Sequence, residues 1–216
     1  MSIMHNSQIT APERAYRWLR QQIGELPYNQ EAFLSENAIA EAAGVSRTPV
    51  REALLRLEAE GLLRRVPHKG AYIPALTGTD LKEILEVRQV IGEWATRQVA
   101  EHRVDLVPHL EAILEQQAQT TDPVAFIELD IAFHRTIVEG AGNSTLAQVY
   151  DAQRFKQERL GIQAVLATTD RFDAVLVEHR AIVAGIKAGN PDQAAQAALS
   201  HLESTRKAVS TQRSTS

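Results

Sequence analysis

One carboxylate and three imidazoles in the second half of the chain are residue types that bind a divalent metal ion. Asp130 and His134 are four residues apart in a helical pattern, so they project from one face of that helix. His179 and His201 lie in two later helical patterns, beside apolar positions. If these helices pack together, the four side chains can converge on one internal point. Their donor atoms suit Zn²⁺, Ni²⁺ or Mn²⁺, with open positions for water or a ligand. From the residues alone, ordinary core or surface histidines remain the alternative.

Arg88 is a candidate for binding an anion. It lies on the apolar face of a helical pattern, and burying a guanidinium group without an anion is costly. One interpretation is that Arg88 binds the carboxylate of an organic-acid effector beside the metal; the other is a salt bridge with a glutamate such as Glu93 or Glu128. Arg154 is a second arginine predicted to point inward and bind the effector.

The first part of the chain carries a pattern typical of DNA readers. Two short helical patterns joined by Gly44-Val45 predict a helix-turn-helix, and the second helix opens with Ser46, Arg47, Thr48 and Arg51. Hydroxyl groups at a helix N-terminus bind phosphate, and arginine binds guanine through two hydrogen bonds. The alternative is a capped helix that simply begins in solvent.

Two short apolar runs follow, on either side of Pro67-His68-Lys69-Gly70, and predict a small β-hairpin. Such a hairpin would form a wing with His68, Lys69 and Gly70 at its tip, near the minor groove or the DNA backbone.

Helices must position all of these groups. The spacing of apolar residues predicts a mainly α protein, with an N-terminal winged helix-turn-helix over residues 1–75 and an antiparallel six-helix bundle over 76–216. The helices of the bundle are predicted at 79–102, 106–119, 123–140, 144–167, 171–188 and 191–212.

Composition limits the class of protein. The 216 residues include no cysteine, which excludes thiolate metal sites, and no apolar stretch long enough to span a membrane, so we expect a cytoplasmic protein. The net charge is −4, but residues 1–75 carry nine basic and eight acidic residues, and the basic ones cluster. They are Arg47, Arg51, Arg56, Arg64, Arg65 and Lys69.

The segment 44–54, together with Arg56-Leu57-Glu58 and Glu60-Gly61-Leu62, resembles the winged helix of the GntR family of transcription regulators. The resemblance covers roughly residues 10–75 and implies DNA contacts by Ser46, Arg47, Thr48 and Arg51 and by the wing. It also implies a contact at Asn37, where the family often has arginine or lysine.

The second half resembles the ligand-binding (FCD) domain of the FadR subfamily, in the six-helix, VanR-like branch. The motifs are Leu85-Glu86-Val87-Arg88, Asp130-x-x-Phe133-His134, Gly142-Asn143-x-x-Leu146, Glu178-His179-x-x-Ile182 and His201-Leu202. The resemblance implies a divalent metal ion on Asp130, His134, His179 and His201, a small carboxylate effector, and a homodimer on a palindromic double-stranded DNA operator. We therefore expect a DNA-binding regulator, a repressor rather than an enzyme. A metal-dependent hydrolase or lyase and a pure metal sensor are the alternatives.

Overall fold

The computed structural model describes residues 9–102, 104–168 and 170–212. The chain divides into two compact units, Met1–Ala75 and Leu76–Ser216. As predicted, it is mainly helical, with a small antiparallel sheet in the first unit and helices in the second. Among the described residues, no helix is both long and apolar enough to cross a membrane.

In residues 9–75 the first unit has three helices and a three-stranded antiparallel sheet. Its elements are α1 (Ala11–Glu25), β1 (Ala32–Ser35), α2 (Glu36–Ala43), α3 (Arg47–Ala59), β2 (Arg64–Val66) and β3 (Gly70–Ile73). The sheet order is β1-β3-β2, so the predicted hairpin of β2 and β3 carries an additional strand. The sequence does not predict β1, because this four-residue strand pairs with a distant partner, Ala32 opposite Ile73.

The helix-turn-helix is held by its apolar faces and by a cap. Ile39 of α2 and Leu54 and Leu57 of α3 are buried. The Ser35 hydroxyl accepts a hydrogen bond from the Ala38 N–H at 3.2 Å and caps α2. Ser46 stands at the N-cap position of α3, but its side chain makes no capping hydrogen bond, so the predicted cap is only positional.

Seven helical segments form the described part of the second unit. They are α4 (Gly78–Glu101), α5 (Val107–Ala118), α6 (Pro123–Gly140), α7 (Ser144–Asp151), α8 (Arg154–Val165), α9 (Arg171–Ala188) and α10 (Pro191–Gln212). The single helix predicted over 144–167 is therefore two helices, separated at Ala152 and Gln153. Neither residue is glycine or proline, so nothing in the local sequence marks the break.

Close packing of α9 on α10 brings two of the candidate ligands together. The α10 helix packs against α4 and α9, and α6 packs against α4, α5, α7 and α8. The approach of α9 to α10 is tightest at Gly185, where a Cβ atom would lie 2.6 Å from the backbone Cα and N atoms of Ala194. Only a residue without a side chain fits there.

We predict that Gly185→Ala lowers the free energy of unfolding by about 1–3 kcal/mol, because the added methyl group has to push two backbones apart. Urea unfolding at fixed protein concentration measures the change. Gly92→Ala in α4 is the matched control, since nothing lies within 4 Å of its added Cβ, and it should leave stability equal or up to about 1 kcal/mol higher. Equal stability of the Gly185→Ala variant and the wild type would contradict the tight contact.

Candidate metal centre and nucleic-acid interface

The structure brings the four candidate metal ligands together in the interior of the second unit. Asp130 and His134 come from α6, His179 from α9 and His201 from α10. One ligand atom from each lies within 4.8 Å of the others. Asp130, His179 and His201 are buried, and His134 is partly buried.

The contacts inside this cluster are short. His179 Nε2 lies 3.2 Å from Asp130 Oδ1, and His134 Nε2 lies 3.9 Å from the same oxygen. His134 Nε2 and His201 Nε2 are 3.2 Å apart. The ring of Phe133 stacks on that of His179 at 4.3 Å, which fixes the plane of the imidazole.

Burial determines the charge of the cluster. It lowers the pKa of His201 to about 4 and holds the pKa of His134 well below its usual range, so both imidazoles are neutral at pH 7. Burial alone would raise the pKa of Asp130, but the close approach of His179 and His134 and the positive charge of Arg88 hold it well below its usual range. Neutral imidazoles and an ionised carboxylate are the forms that ligate metals.

Two observations show that these side chains fit a metal ion. His179 Nε2 is fully buried and makes no hydrogen bond among the described residues, although Asp130 Oδ1 lies 3.2 Å away. Such an orphaned atom requires a partner. Metal–ligand bonds of about 2.0–2.2 Å place donor atoms on opposite sides of an ion about 4 Å apart, so the cluster needs only a small contraction.

Arg88 of α4 lies beside this cluster. It is buried, and its Nη2 is 3.8 Å from Asp130 Oδ2. Glu93, one of the two glutamates considered as a salt-bridge partner, instead pairs with Arg97 at 3.4 Å. The anion facing Arg88 is thus a candidate metal ligand.

Arg154 does not point inward. It is the first residue of α8, where its side chain is exposed, and the prediction of an inward orientation is wrong. The buried arginine of this helix is Arg159, which is 0% exposed. The unforeseen break between α7 and α8 changes which residues of this segment face inward, and this accounts for the error.

A small cavity adjoins the cluster. Its volume is about 30 Å³, and its lining includes Arg88 and Thr96 of α4, His134 of α6, Tyr150 of α7 and His201 of α10. Burial raises the pKa of Tyr150 to about 12, so its phenol stays protonated and can donate a hydrogen bond. Sequence reasoning missed Tyr150, because one tyrosine in a helical pattern is indistinguishable from a core residue.

Two further residues that sequence reasoning missed lie behind the imidazoles. Gln117 Oε1 is 3.2 Å from His179 Nδ1, and Glu178 Oε2 is 2.8 Å from His201 Nδ1. Glu178 directly precedes a candidate ligand in sequence, and that proximity was the available signal. Gln117, in α5, gave none.

The first unit presents the start of α3 to solvent. Ser46, Arg47 and Thr48 are exposed, and so is Asn37 near the start of α2. Arg47 forms no ion pair with any residue that the structure describes. Arg51 is also exposed, but its guanidinium group binds Glu36, with Nη2 3.0 Å from Oε2. An exposed pair of this kind is weak because solvent screens it, so an anion such as a phosphate can displace Glu36.

At the tip of the hairpin, His68 and Lys69 are exposed, whereas Gly70 is buried. Because Gly70 is buried, it offers no accessible surface for the predicted contact with DNA. A Cβ atom at Gly70 would lie 2.0 Å from Leu34 O, so the glycine is required for pairing β3 with β1.

Ion pairs with neighbouring glutamates partly neutralise the predicted basic cluster. Arg56 lies 3.6 Å above the ring of Tyr16 and pairs with Glu60, and Arg65 pairs with Glu58 at 2.5 Å. Both arginines therefore make contacts that stabilise the first unit.

Comparisons with known proteins agree with this geometry. Residues 11–73 match the family described as bacterial regulatory proteins, gntR family, and residues 83–204 match the FCD domain. The resemblance to the gntR family and to the FCD domain is thereby confirmed.

Two curated relatives are transcriptional repressors. The "Probable D-xylose utilization operon transcriptional repressor" of Paenarthrobacter nicotinovorans is 31% identical over 83% of this chain and 79% of its own length. The "Gluconate operon transcriptional repressor" of Bacillus licheniformis is 30% identical over 74% and 69%. Among solved structures, E. coli McbR/YncC has the same fold, with a TM-score of 0.68 and 20% identity over 95% of this chain and 100% of that one. The matched family is one of regulatory proteins and both curated relatives are repressors by name, which confirms the expectation of a regulator rather than an enzyme.

We predict that His134→Ala abolishes metal binding and lowers the melting temperature, because three ligands remain and the bound metal contributes directly to stability. Elemental analysis after dialysis against Zn²⁺ or Mn²⁺, followed by calorimetry, measures both effects. His109→Ala is the control, since His109 is exposed on α5. Metal content equal to that of the control would refute the assignment.

Proposed function

The chain belongs to the gntR family of bacterial regulatory proteins and carries an FCD domain, and on this basis we propose that it is a transcriptional repressor with a metal-assisted sensor. A small organic acid bound beside a divalent metal ion in the second unit controls its affinity for operator DNA. The observation that carries this proposal is the buried cluster of Asp130 and three histidines, with Arg88 and a cavity at its edge.

In this proposal, the exposed start of α3 reads the operator. Arg47 contacts base edges, Ser46 and Thr48 bind phosphate, and Arg51 exchanges Glu36 for DNA. Asn37, His68 and Lys69 add backbone contacts. Two copies of the chain, related by a twofold axis, bind the two halves of a palindromic site.

Asp130, His134, His179 and His201 would hold the metal ion. When bound, the ion supplies a Lewis-acidic position for a ligand oxygen. Arg88 and Tyr150 then supply an ionic contact and a hydrogen-bond donor on the cavity side. This combination of groups is suited to a carboxylate.

Charge balance favours an anionic effector. Arg88 and Asp130 nearly neutralise each other in the buried cluster. A divalent ion adds two positive charges to this interior, and uncompensated buried charge is unfavourable. The carboxylate of an organic acid removes part of that excess, whereas a neutral sugar does not.

The size of the cavity links binding of an organic acid to movement of the helices that line it. A volume of about 30 Å³ holds one or two water molecules, so a larger acid has to displace helices that line the cavity. One of these is α4, which begins at Gly78, directly after the boundary between the units at Ala75 and Leu76. Displacement of α4 would alter how the DNA-reading units are presented, and so the operator affinity.

We predict that Arg47→Ala weakens operator binding by about 1–3 kcal/mol and relaxes the base preference at one position of each half-site. Binding isotherms on the operator and on single-base variants measure this. Arg17→Ala is the control, since Arg17 is exposed on α1 and lies outside the helix-turn-helix. Unchanged affinity and preference would contradict the role of Arg47.

We predict that a thermal-shift screen of small carboxylates on Zn²⁺-loaded protein finds an acid that raises the melting temperature and changes operator affinity. At a concentration one hundred times its Kd, the stabilisation is about 2.7 kcal/mol. Arg88→Gln should lose both effects and retain the metal, whereas Arg135→Gln, which alters an exposed arginine of α6, should keep them.

Two outcomes would count against this sensor. One is equal stabilisation of the wild type and the Arg88→Gln variant by the same acid. The other is operator affinity that follows the free metal concentration alone, which would indicate a pure metal sensor.

A further inference from the structure

A charged network on α9 and α10 supports one of the candidate ligands from behind. Glu178 Oε2 lies 2.8 Å from His201 Nδ1. The same carboxylate receives two hydrogen bonds from the guanidinium group of Arg171, at 2.7 and 3.0 Å. Arg171 is buried and also donates to Thr205 Oγ1 at 3.2 Å.

This arrangement dictates where the proton of His201 resides. An ionised carboxylate only accepts hydrogen bonds, so Nδ1 of His201 carries the proton and donates it to Glu178. The buried guanidinium group of Arg171 holds both carboxylate oxygens of Glu178, which favours the ionised form of the carboxylate. The lone pair of neutral His201 is then on Nε2, the atom 3.2 Å from His134 Nε2.

His179 is supported in the same way, but by a neutral side chain, that of Gln117. Gln117 donates its amide hydrogen to the Phe126 carbonyl at 3.2 Å, which turns Oε1 toward His179 Nδ1. Both fully buried histidines thus have Nδ1 engaged and Nε2 directed into the cluster. The two acceptors, Gln117 on α5 and Glu178 on α9, therefore orient the two imidazole rings in the same way.

We propose that Glu178 is a positioning residue that fixes His201 in the Nδ1–H tautomer and strengthens Nε2 as a metal ligand, with Arg171 holding the carboxylate in place. Gln117 orients His179 in the same way without adding charge. His201 is therefore the stronger electron donor of the two, because its acceptor is anionic. The role of these residues in metal binding rests on the proposed function, whereas the tautomer is a property of the metal-free protein.

The first test is nitrogen NMR of the metal-free, full-length protein labelled with ¹⁵N-histidine. His201→Gln assigns the His201 signals, and the wild type should show the proton on Nδ1. Replacing the whole ion pair, Glu178→Leu together with Arg171→Met, avoids leaving a buried charge unpaired and so favours folding. In this double variant the Nε2–H tautomer should appear. An unchanged Nδ1–H pattern in the folded double variant would overturn the proposal.

The second test is Zn²⁺ affinity, measured by competition with a chelator. The double variant should bind about 10–100-fold more weakly. Glu178→Gln, which retains an oxygen that accepts from Nδ1, should recover most of the affinity, and a purely structural role predicts no such rescue. Glu203→Gln, on the exposed face of α10, is the matched control. Affinity of the double variant within twofold of the control would overturn the proposal. If the wild type itself bound no Zn²⁺, the proposed function would fail, and the NMR result would still decide the tautomer.

Discussion

The structure of the second unit depends on how it balances four electron-rich side chains that meet away from water. Asp130, His134, His179 and His201 bring one oxygen and three nitrogens within 4.8 Å of one another. Such a concentration of lone pairs is unfavourable in a buried site unless a cation lies among them or protons are shared between them. Burial opposes protonation of His134 and His201, and Arg88 lies 3.8 Å from the carboxylate. A divalent ion would satisfy all four groups at once.

This constraint connects the remaining features of the second unit. Glu178 and Gln117 direct two imidazoles inward, and the tight contact at Gly185 keeps α9 close to α10. The cavity on the other side has a volume of about 30 Å³, so under the proposed function an organic acid of more than a few atoms would displace helices when it binds. In the first unit a weaker charge balance is seen at the surface, where Glu36 pairs with Arg51; in the proposed function a DNA phosphate or base would replace Glu36.

Much of the fold and of the candidate metal site could be predicted from the sequence, because the residue patterns that indicate them are local. Helix periodicity predicts α6 and α9 to the residue, and the spacing of Asp130 and His134 predicts their shared face. The failures were non-local. The strand β1 depends on a partner far along the chain, and the break at Ala152 and Gln153 carries no breaker residue. That break also explains the error at Arg154. Gln117 gives no sequence signal at all. Glu178 lies next to His179 in sequence, but its contact with His201 depends on the packing of α9 against α10.

The most direct test of this account is the melting temperature of the metal-stripped wild-type protein as a function of free Zn²⁺ or Mn²⁺ at pH 7. If the four side chains form one site in the folded state, the melting temperature should rise with the logarithm of metal concentration once the site's Kd is exceeded. The metal content should saturate at one ion per chain. A melting temperature that stays constant from metal-free to millimolar metal, with no ion retained, would contradict the central claim.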